Sequence, residues 1–399
     1  MTTTAAPLLP YLERLLNGET VEWKTLGEVA EFKRGQTVTQ KTAQAGVYPV
    51  ISGGQQPAYY INQYNRTGQT ITVAGSGAYA GFVMFWNEPI FVSDAFSIKA
   101  NEEVLLPRYV FHFLLNKQSS IFNLKRGSGV PHVYAKDLAD FSIPLPPLRV
   151  QARIVEILDK FTQLEAELET ELEARNKQYD FYRNRLLDFA HRDDLAGQVE
   201  WKTLGEVFNT RNGYTPSKTN DDFWKDGTIP WFRMDDIRAN GRILYDSALH
   251  ITPQAVKRNG LFKANSIILA TSATIGEHAL LQQDALTNQR FTNFEIKEEL
   301  QELLLPKFAF YYFFIIDEWC KKHTIIGNFP SVDTQQLMEQ PFPLPPLSEQ
   351  RRIVEILDRF DTLTNSISEG LPREIALRRK QYEYYRDALL RFPTPAPTA

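Results

Sequence analysis

From Ile154 onward, apolar side chains recur at alternating spacings of three and four: Ile154, Leu158, Phe161, Leu168, Leu172, Tyr179, Tyr182, Leu186 and Phe189, with Glu165 and Arg175 filling the two gaps. This is a heptad seam. No Pro or Gly interrupts residues 149 to 190, which predicts a continuous helix of 42 residues, roughly 63 Å long at about 1.5 Å per residue. Such a helix needs a partner to bury its stripe. A second seam supplies one with Ile353, Leu357, Phe360, Ile367, Leu371, Tyr382, Tyr385, Leu389 and Phe392, and the two helices are expected to pair antiparallel. The second copy carries four extra residues and Gly370-Leu371-Pro372, a stutter and a Gly/Pro pair that should kink or break it.

Elsewhere the pattern shortens. Strand-like runs at 69–73, 81–86, 90–92, 266–270 and 291–296 alternate with Gly/Ser/Asn turns, and aromatic helices at 108–115 and 306–319 follow them. Two mixed α/β modules are predicted. The segment Tyr11-Leu12-Glu13-Arg14-Leu15-Leu16 echoes the end of each long helix, as if a duplicate had been opened at a different point of its cycle, so the termini are expected to lie close together.

The chain is built twice. Val21-Glu22-Trp23-Lys24-Thr25-Leu26-Gly27-Glu28-Val29 recurs unchanged at 199–207. Pro144-Leu145-Pro146-Pro147-Leu148, Gln151, residues 153–159 and Phe161 recur 199 positions later, and the Lys177-Gln178-Tyr179 run recurs at Lys380-Gln381-Tyr382. The stretches between, roughly 30–140 and 208–340, resemble each other only faintly. A duplicated scaffold holding two divergent modules suits reading two short targets at a fixed separation; a tandem duplication whose loops drifted would leave the same pattern. Each proline run holds the entering chain extended and sharpens the helix start. Ser348 can cap the second helix with Glu349 in its first turn, whereas Arg149 and Val150 cap nothing in the first, which should fray more. The expected segments are an N-terminal helix (1–20), a first module (21–148), a central helical spacer (149–196), a second module (197–347), a C-terminal spacer (348–392) and a disordered tail (393–399).

Length changes the picture little, since 399 residues already imply more than one domain. Hydrophobic residues at 43% and charged residues at 23% describe a globular chain with no stretch suited to a membrane, and the short apolar start lacks a basic flank, so the cytoplasm is the default. Cys320, the single cysteine, reads as a core thiol. Net charge is −4, with no segment beyond three charges of either sign, so DNA binding would rest on local placement of Lys and Arg or be shared with a partner.

Catalytic signatures are missing. The sequence has no Gly-rich cofactor loop with an Asn/Asp-Pro-Pro-Tyr/Phe motif, as an adenine methyltransferase would need, and no Gly-x-x-x-x-Gly-Lys-Ser/Thr phosphate loop. Asp221-Asp222 and Asp235-Asp236 read as turn formers or as acceptors from cytosine N4, and Gly75-Ser76-Gly77 reads as a tight turn. Polar groups beside Gly-rich loops are the candidates for base reading: Ser52, Gln55 and Gln56 in the first module, with Arg34, Lys125 and Arg126 for phosphates. In the second module they are Arg211, Asn212, Arg233, Asp235 and Arg238, with Lys321 and Lys322 for phosphates.

Pro-Leu-Pro-Pro-Leu-x-x-Gln-x-x-Ile-Val-x-x-Leu leading twice into a long helix, with Glu-Trp-x-x-Leu-Gly-Glu-Val opening each half, resembles the specificity subunits of type I restriction-modification systems across the whole chain. Ile51-Ser52-Gly53-Gly54, Gly75-Ser76-Gly77 and Val92-Ser93-Asp94-Ala95 are similar to that family's target recognition domains, as are Ile229-Pro230-Trp231, Asp236-Ile237, Ala273-Thr274-Ile275-Gly276 and Thr287-Asn288-Gln289. The departures are Arg149-Val150 and the interrupted second helix. The resemblance implies an α/β (α+β) fold of two pseudo-symmetric target recognition domains joined by two long antiparallel coiled-coil helices. It implies a non-catalytic subunit that reads a bipartite double-stranded DNA target, one domain per half-site, and that assembles with two methyltransferase and two restriction/translocase subunits. S-adenosylmethionine, ATP and magnesium would then sit on the partners, with no cofactor or metal in this chain. The positions expected to serve helix pairing and partner binding are Gln151, Ile154, Leu158, Phe161, Tyr179, Tyr182, Gln350, Ile353, Leu357, Phe360, Tyr382 and Tyr385. The alternative is a coiled-coil hub whose modules bind protein surfaces, which the near-neutral charge would suit.

Overall fold

The computed structural model describes residues 9–127, 129–325, 330–366 and 368–393. Ile367 of the second seam and the tail from 394 onward lie outside them. The chain divides into two units, Met1–Glu167 with Ala376–Ala399, and Leu168–Ile375.

In the first unit the repeated nonapeptide forms a strand, Glu22–Thr25, paired antiparallel with Ser142–Leu145 of the proline run. The Glu28 carboxylate accepts from the Thr25 backbone N–H at 2.6 Å, half of a capping box that starts the short helix Leu26–Val29. A four-stranded antiparallel sheet follows in the order Ala30–Arg34, Ala95–Ala100, Thr70–Ala74, Val83–Trp86. The helix Pro107–Asn116 packs on it, with Phe111 against Phe85 at 5.5 Å. A three-stranded sheet, Tyr60–Ile61, Ala45–Ile51 and Phe91–Val92, completes the module, its last pair parallel.

The second unit repeats this plan with added strands. Glu200–Thr203 pairs with Pro341–Leu344. The larger sheet runs Phe208–Asn212, Phe291–Ile296, Ile267–Ala270, His278–Leu281, with Ile243–Leu244 added at the edge, and the smaller is His250–Ile251, Ile229–Phe232, Leu286–Thr287, again ending in a parallel pair. The helix Pro306–Lys322 packs on the sheet through Phe313 against Phe208 and Phe294. The five strand runs and two aromatic helices read from the sequence all recur here within about two residues at the strand ends. The shared topology of the two modules was not legible, because their sequences barely match.

The first long helix spans Leu148–Leu187, 40 residues rather than 42, and ends in a short 3-10 turn at Phe189–His191. Its first half pairs in the first unit with the helix Gly370–Leu389, where Phe161 stacks on Tyr385 at 5.3 Å and Glu165 meets Arg379 at 2.6 Å. Its second half pairs in the second unit with Leu347–Asn365 through Tyr179 and Tyr182 on Phe360. Rising numbers on one helix meet falling numbers on the other in the first unit, so the pairing there is antiparallel. The second seam is broken, as the Gly370-Leu371-Pro372 run leads one to expect, with the new helix starting at its glycine. Asn365 ends one helix and Gly370, with φ of +73°, starts the next, leaving Pro372 in a first turn that needs no N–H from it. A Cβ at Gly370 would overlap the Thr362 carbonyl oxygen, so only glycine fits.

Ser348 does not cap: the second helix starts at Leu347 with Pro346 as its N-cap and no side-chain cap bond. Glu349 is in the first turn as expected and pairs with Arg352 and Arg192. In the first helix Val150 is buried in the core, and Arg149 donates to the Leu15 carbonyl and pairs with Glu19. These contacts anchor a turn that its residue types leave uncapped, against the expected fraying. The N-terminal helix Pro10–Leu16 is thereby docked, with Leu12 fully buried and the Tyr11 hydroxyl accepting from Arg153. Trp23 donates its indole N–H to the Pro393 carbonyl at 2.9 Å, which ties the first strand to the residues after the last helix. Cys320 is buried and its thiol is pushed up to about 12 by burial, as a core thiol should be. Among the described residues no helix is long and apolar enough to cross a membrane.

Two buried histidines link each module to pH. His112 accepts or donates between Asp159 at 2.7 Å and the Tyr382 hydroxyl at 3.0 Å, and His278 meets Asp317 at 2.7 Å. Burial lowers both pKa values, against the pull of their carboxylate partners. A folded pKa below the unfolded one means that the unfolded chain takes up the proton first, so stability is full above the unfolded value of about 6.5 and is lost as pH falls below it. His191, exposed and raised by Asp188, opposes this weakly. Thermal unfolding between pH 7.5 and 5 should therefore show a falling midpoint whose slope flattens in a His112→Gln, His278→Gln double variant. An unchanged slope would show that other groups set the dependence.

Candidate nucleic-acid interface

In each module the ends of three strands close over one another through the same backbone bonds. Gly35 N–H donates to Ala95, Gln36 to Val92 and Ser93 to Ile51; in the second module Gly213 donates to Phe291, Tyr214 to Thr287 and Asn288 to Phe232. A fourth chain segment joins from the far side, with Val133 N–H on Gly75 and Val332 N–H on Thr271. A Cβ on Gly35 would overlap the Ser93 carbonyl, and one on Gly213 the Thr287 hydroxyl, so both glycines are there for close backbone approach. The frame is the same while its polar lining differs. By this register Arg34 corresponds to Asn212, Ser52 to Arg233, His132 to Ser331, and Asp94 to Gln289-Arg290, the second module having one extra residue.

The first module's cleft, about 620 Å³, is lined by Arg34, Thr37, Ser52, Asp94, His132 and Lys136, among others. The Ser76 hydroxyl donates to the Asp94 carboxylate, which fixes an acceptor beside the cleft. Gln55 and Gln56 lie exposed beyond the same strand end. Lys125 donates to the Ala78 carbonyl at 3.0 Å and covers Phe122, and Arg126 pairs with Asp137 at 3.2 Å; both border the Gly75–Gly77 turn without lining the cleft.

In the second module the candidates separate. The Arg211 guanidinium donates to the carbonyls of Asn259, Gly260 and Leu261 and lies 4.5 Å over the Phe262 ring, and burial lowers its pKa. It ties a loop together, so the donors expected to read bases are already taken up by this chain's own carbonyls. Arg66 does the same in the first module, donating to Ser97, Asn65 and Arg34, and no feature of the sequence marks it. Asn212 accepts from Thr292 at 2.9 Å, and Arg233 follows the strand whose Phe232 carbonyl accepts from Asn288. Asp236 is buried and accepts from Arg233 N–H at 2.7 Å and Ala248 N–H at 2.8 Å, so it is a turn former, as is Asp221-Asp222 in its 3-10 turn. Asp235 is exposed and 3.5 Å from Arg233, and Arg238 is exposed in the last turn of Met234–Asn240. Lys321 pairs with Glu318, and Lys322 is exposed at the end of the same helix.

Eight of the twelve helical positions turn inward. Gln151, Ile154, Leu158, Gln350, Ile353 and Leu357 have no exposed surface, and Tyr179 and Tyr382 have almost none, so they hold each unit together and cannot meet a partner. Gln151 donates to the Val104 and Pro146 carbonyls and accepts from Leu106 N–H; Gln350 makes the same three bonds to Leu303, Pro345 and Leu305. Phe161 and Phe360 are half-buried under Tyr385 and Tyr182, which are themselves exposed. Beside them stand Phe181, 58% exposed, and Tyr384, 65% exposed, a pair of outward aromatics that the heptad reading missed because they fall off the seam.

The protein-family model described as the type I restriction modification DNA specificity domain matches residues 18–175 and 198–377. The chain is 36% identical to the EcoR124I/EcoR124II type I restriction enzyme specificity subunit of Escherichia coli, over 97% of this chain and 98% of that one. It is 52% identical to the Escherichia coli EcoprrI specificity subunit over 49% of this chain and 50% of the relative. Among solved structures, a type I restriction-modification S subunit from M. genitalium has the same fold, with a TM-score of 0.61 at 17% identity, covering 95% of this chain and 98% of that one.

Proposed function

The chain belongs to the type I restriction-modification DNA specificity family, and from that premise we infer that it is the non-catalytic, DNA-reading subunit of a type I restriction-modification complex. The observation that carries this reading is the cleft frame built twice with different polar linings. Arg34, Ser52 and Asp94 in one module stand where Asn212, Arg233 and Gln289-Arg290 stand in the other. One frame with two linings suits two half-sites of different sequence, each read by one module. A hub for protein surfaces would have no need to keep the frame while changing its donors and acceptors.

The same reading supplies the partners. Two methyltransferase subunits would each take one half, meeting exposed helix surface at Phe181 and Tyr182 and at Tyr384 and Tyr385, and two restriction/translocase subunits would join them in the cytoplasm. S-adenosylmethionine, ATP and magnesium would be held by those partners, whose combined activities would be adenine methylation and ATP-dependent cleavage.

Salt dependence tests DNA reading against the hub. A complex that neutralises about six phosphates or more loses roughly a thousandfold or more in affinity between about 50 and 200 mM salt. The reconstituted complex should bind target duplex with that steepness. Absence of binding at low salt would remove the DNA-reading proposal.

A further inference from the structure

We propose that Arg233 is the guanine-reading residue of the second half-site, a specificity determinant whose guanidinium donates to the O6 and N7 edge of one guanine in the major groove. This rests on the DNA-reading function proposed above and adds a residue and a base to it.

The arginines of the second unit differ in what they do. Arg211 is spent on three backbone carbonyls, and Arg242 donates to the His278 carbonyl and the buried Asp317 carboxylate. Arg233 has no such commitment. Among the described residues its only ion pair is with the exposed Asp235, at 3.5 Å, and none of them offers its Nε a hydrogen-bond acceptor.

The backbone beneath is held still. Arg233 N–H donates to the buried Asp236 carboxylate, whose other oxygen takes Ala248 N–H, and Phe232 is fully buried. The residue therefore sits at a rigid strand-to-helix junction, with the polar turn from Asn288 to Arg290 hydrogen-bonded alongside. In the first module the equivalent position is Ser52, which lines the cleft. An arginine fork presents two parallel donors, which matches the paired acceptors of guanine and of no other base edge in the major groove.

The test uses the assembled complex with its methyltransferase subunits and duplexes carrying the target found by methylation mapping, together with its single-base-pair variants. Arg233→Gln should reduce discrimination at one G·C pair of one half-site by about 5- to 150-fold, the range of one bidentate contact, and leave the other half-site unchanged. Arg233→Lys keeps the charge and the aliphatic stem but not the fork, so it should fail to restore that discrimination. Rescue by lysine, with binding weakened evenly across all sequences in the glutamine variant, would mean a phosphate contact and overturn the proposal. Discrimination within threefold of the parent at every pair in both variants would also overturn it. If exchange of a whole module still switches a half-site in that case, the DNA-reading function stands and only the role of Arg233 falls. Assembly is checked by the mass of each complex, and if the glutamine variant does not assemble, the lysine variant alone decides.

Discussion

Replacing residues 30–140 with the matching region of another family member is expected to change one half of the methylated sequence completely and leave the other half and its modification intact. The exchanged segment holds both sheets of the first module and its cleft, while the scaffold strands Glu22–Thr25 and Ser142–Leu145 and the long helices stay. A mismatched base pair costs about 1–3 kcal/mol, so a half-site changed at three pairs should shift preference by about a hundredfold or more. The structure also sets conditions on the donor. It must present backbone to Gln151 as residues 104–106 do, and it must offer Asp159 a cation as Arg108 does. Sequencing of methylated DNA reads the outcome. A change in both halves, or in neither, would refute the division of labour.

The second large effect is on stability. Gln350→Leu should destabilise the second unit by about 3 kcal/mol or more, because the amide is fully buried and its loss strands Leu305 N–H and the Leu303 and Pro345 carbonyls, each at about 1–3 kcal/mol. For a unit of this size that lowers the melting midpoint by roughly 6 °C or more. Gln151→Leu should act likewise on the first unit, since it makes the same three bonds. Hydrogen exchange localises the damage: the Leu305 amide should lose protection in Gln350→Leu and keep it in Gln151→Leu. A loss under about 1 kcal/mol would show that the glutamine is replaceable filling.

These two glutamines show what a sequence carries and where it stops. Their repetition three residues after each leucine was visible, and it correctly marked a scaffold feature. That they face inward to cap the module's own loop, instead of outward to a partner, depends on chain segments about 45 residues away. The long helices and the five strand runs were legible because each is fixed by local periodicity. The site was legible only in part. Arg34, Ser52, Asn212 and Arg233 came from their place beside glycine-rich strand ends, and the structure puts them at equivalent positions of the backbone frame in the two modules. Arg211 was chosen on the same ground and turns away, because Asn259, Gly260 and Leu261 offer carbonyls that no local pattern announces. The edge strand Ile243–Leu244 was likewise missed, because it is settled by pairing with Leu280–Leu281.

Mapping methylated adenines in DNA from cells carrying the intact system, with and without this chain, tests the central claim most directly. The expected result is a single bipartite motif, two short defined sequences separated by a gap of fixed length and free sequence, that disappears when the chain is removed. Methylation that persists without the chain, or that follows one uninterrupted motif, would contradict the account.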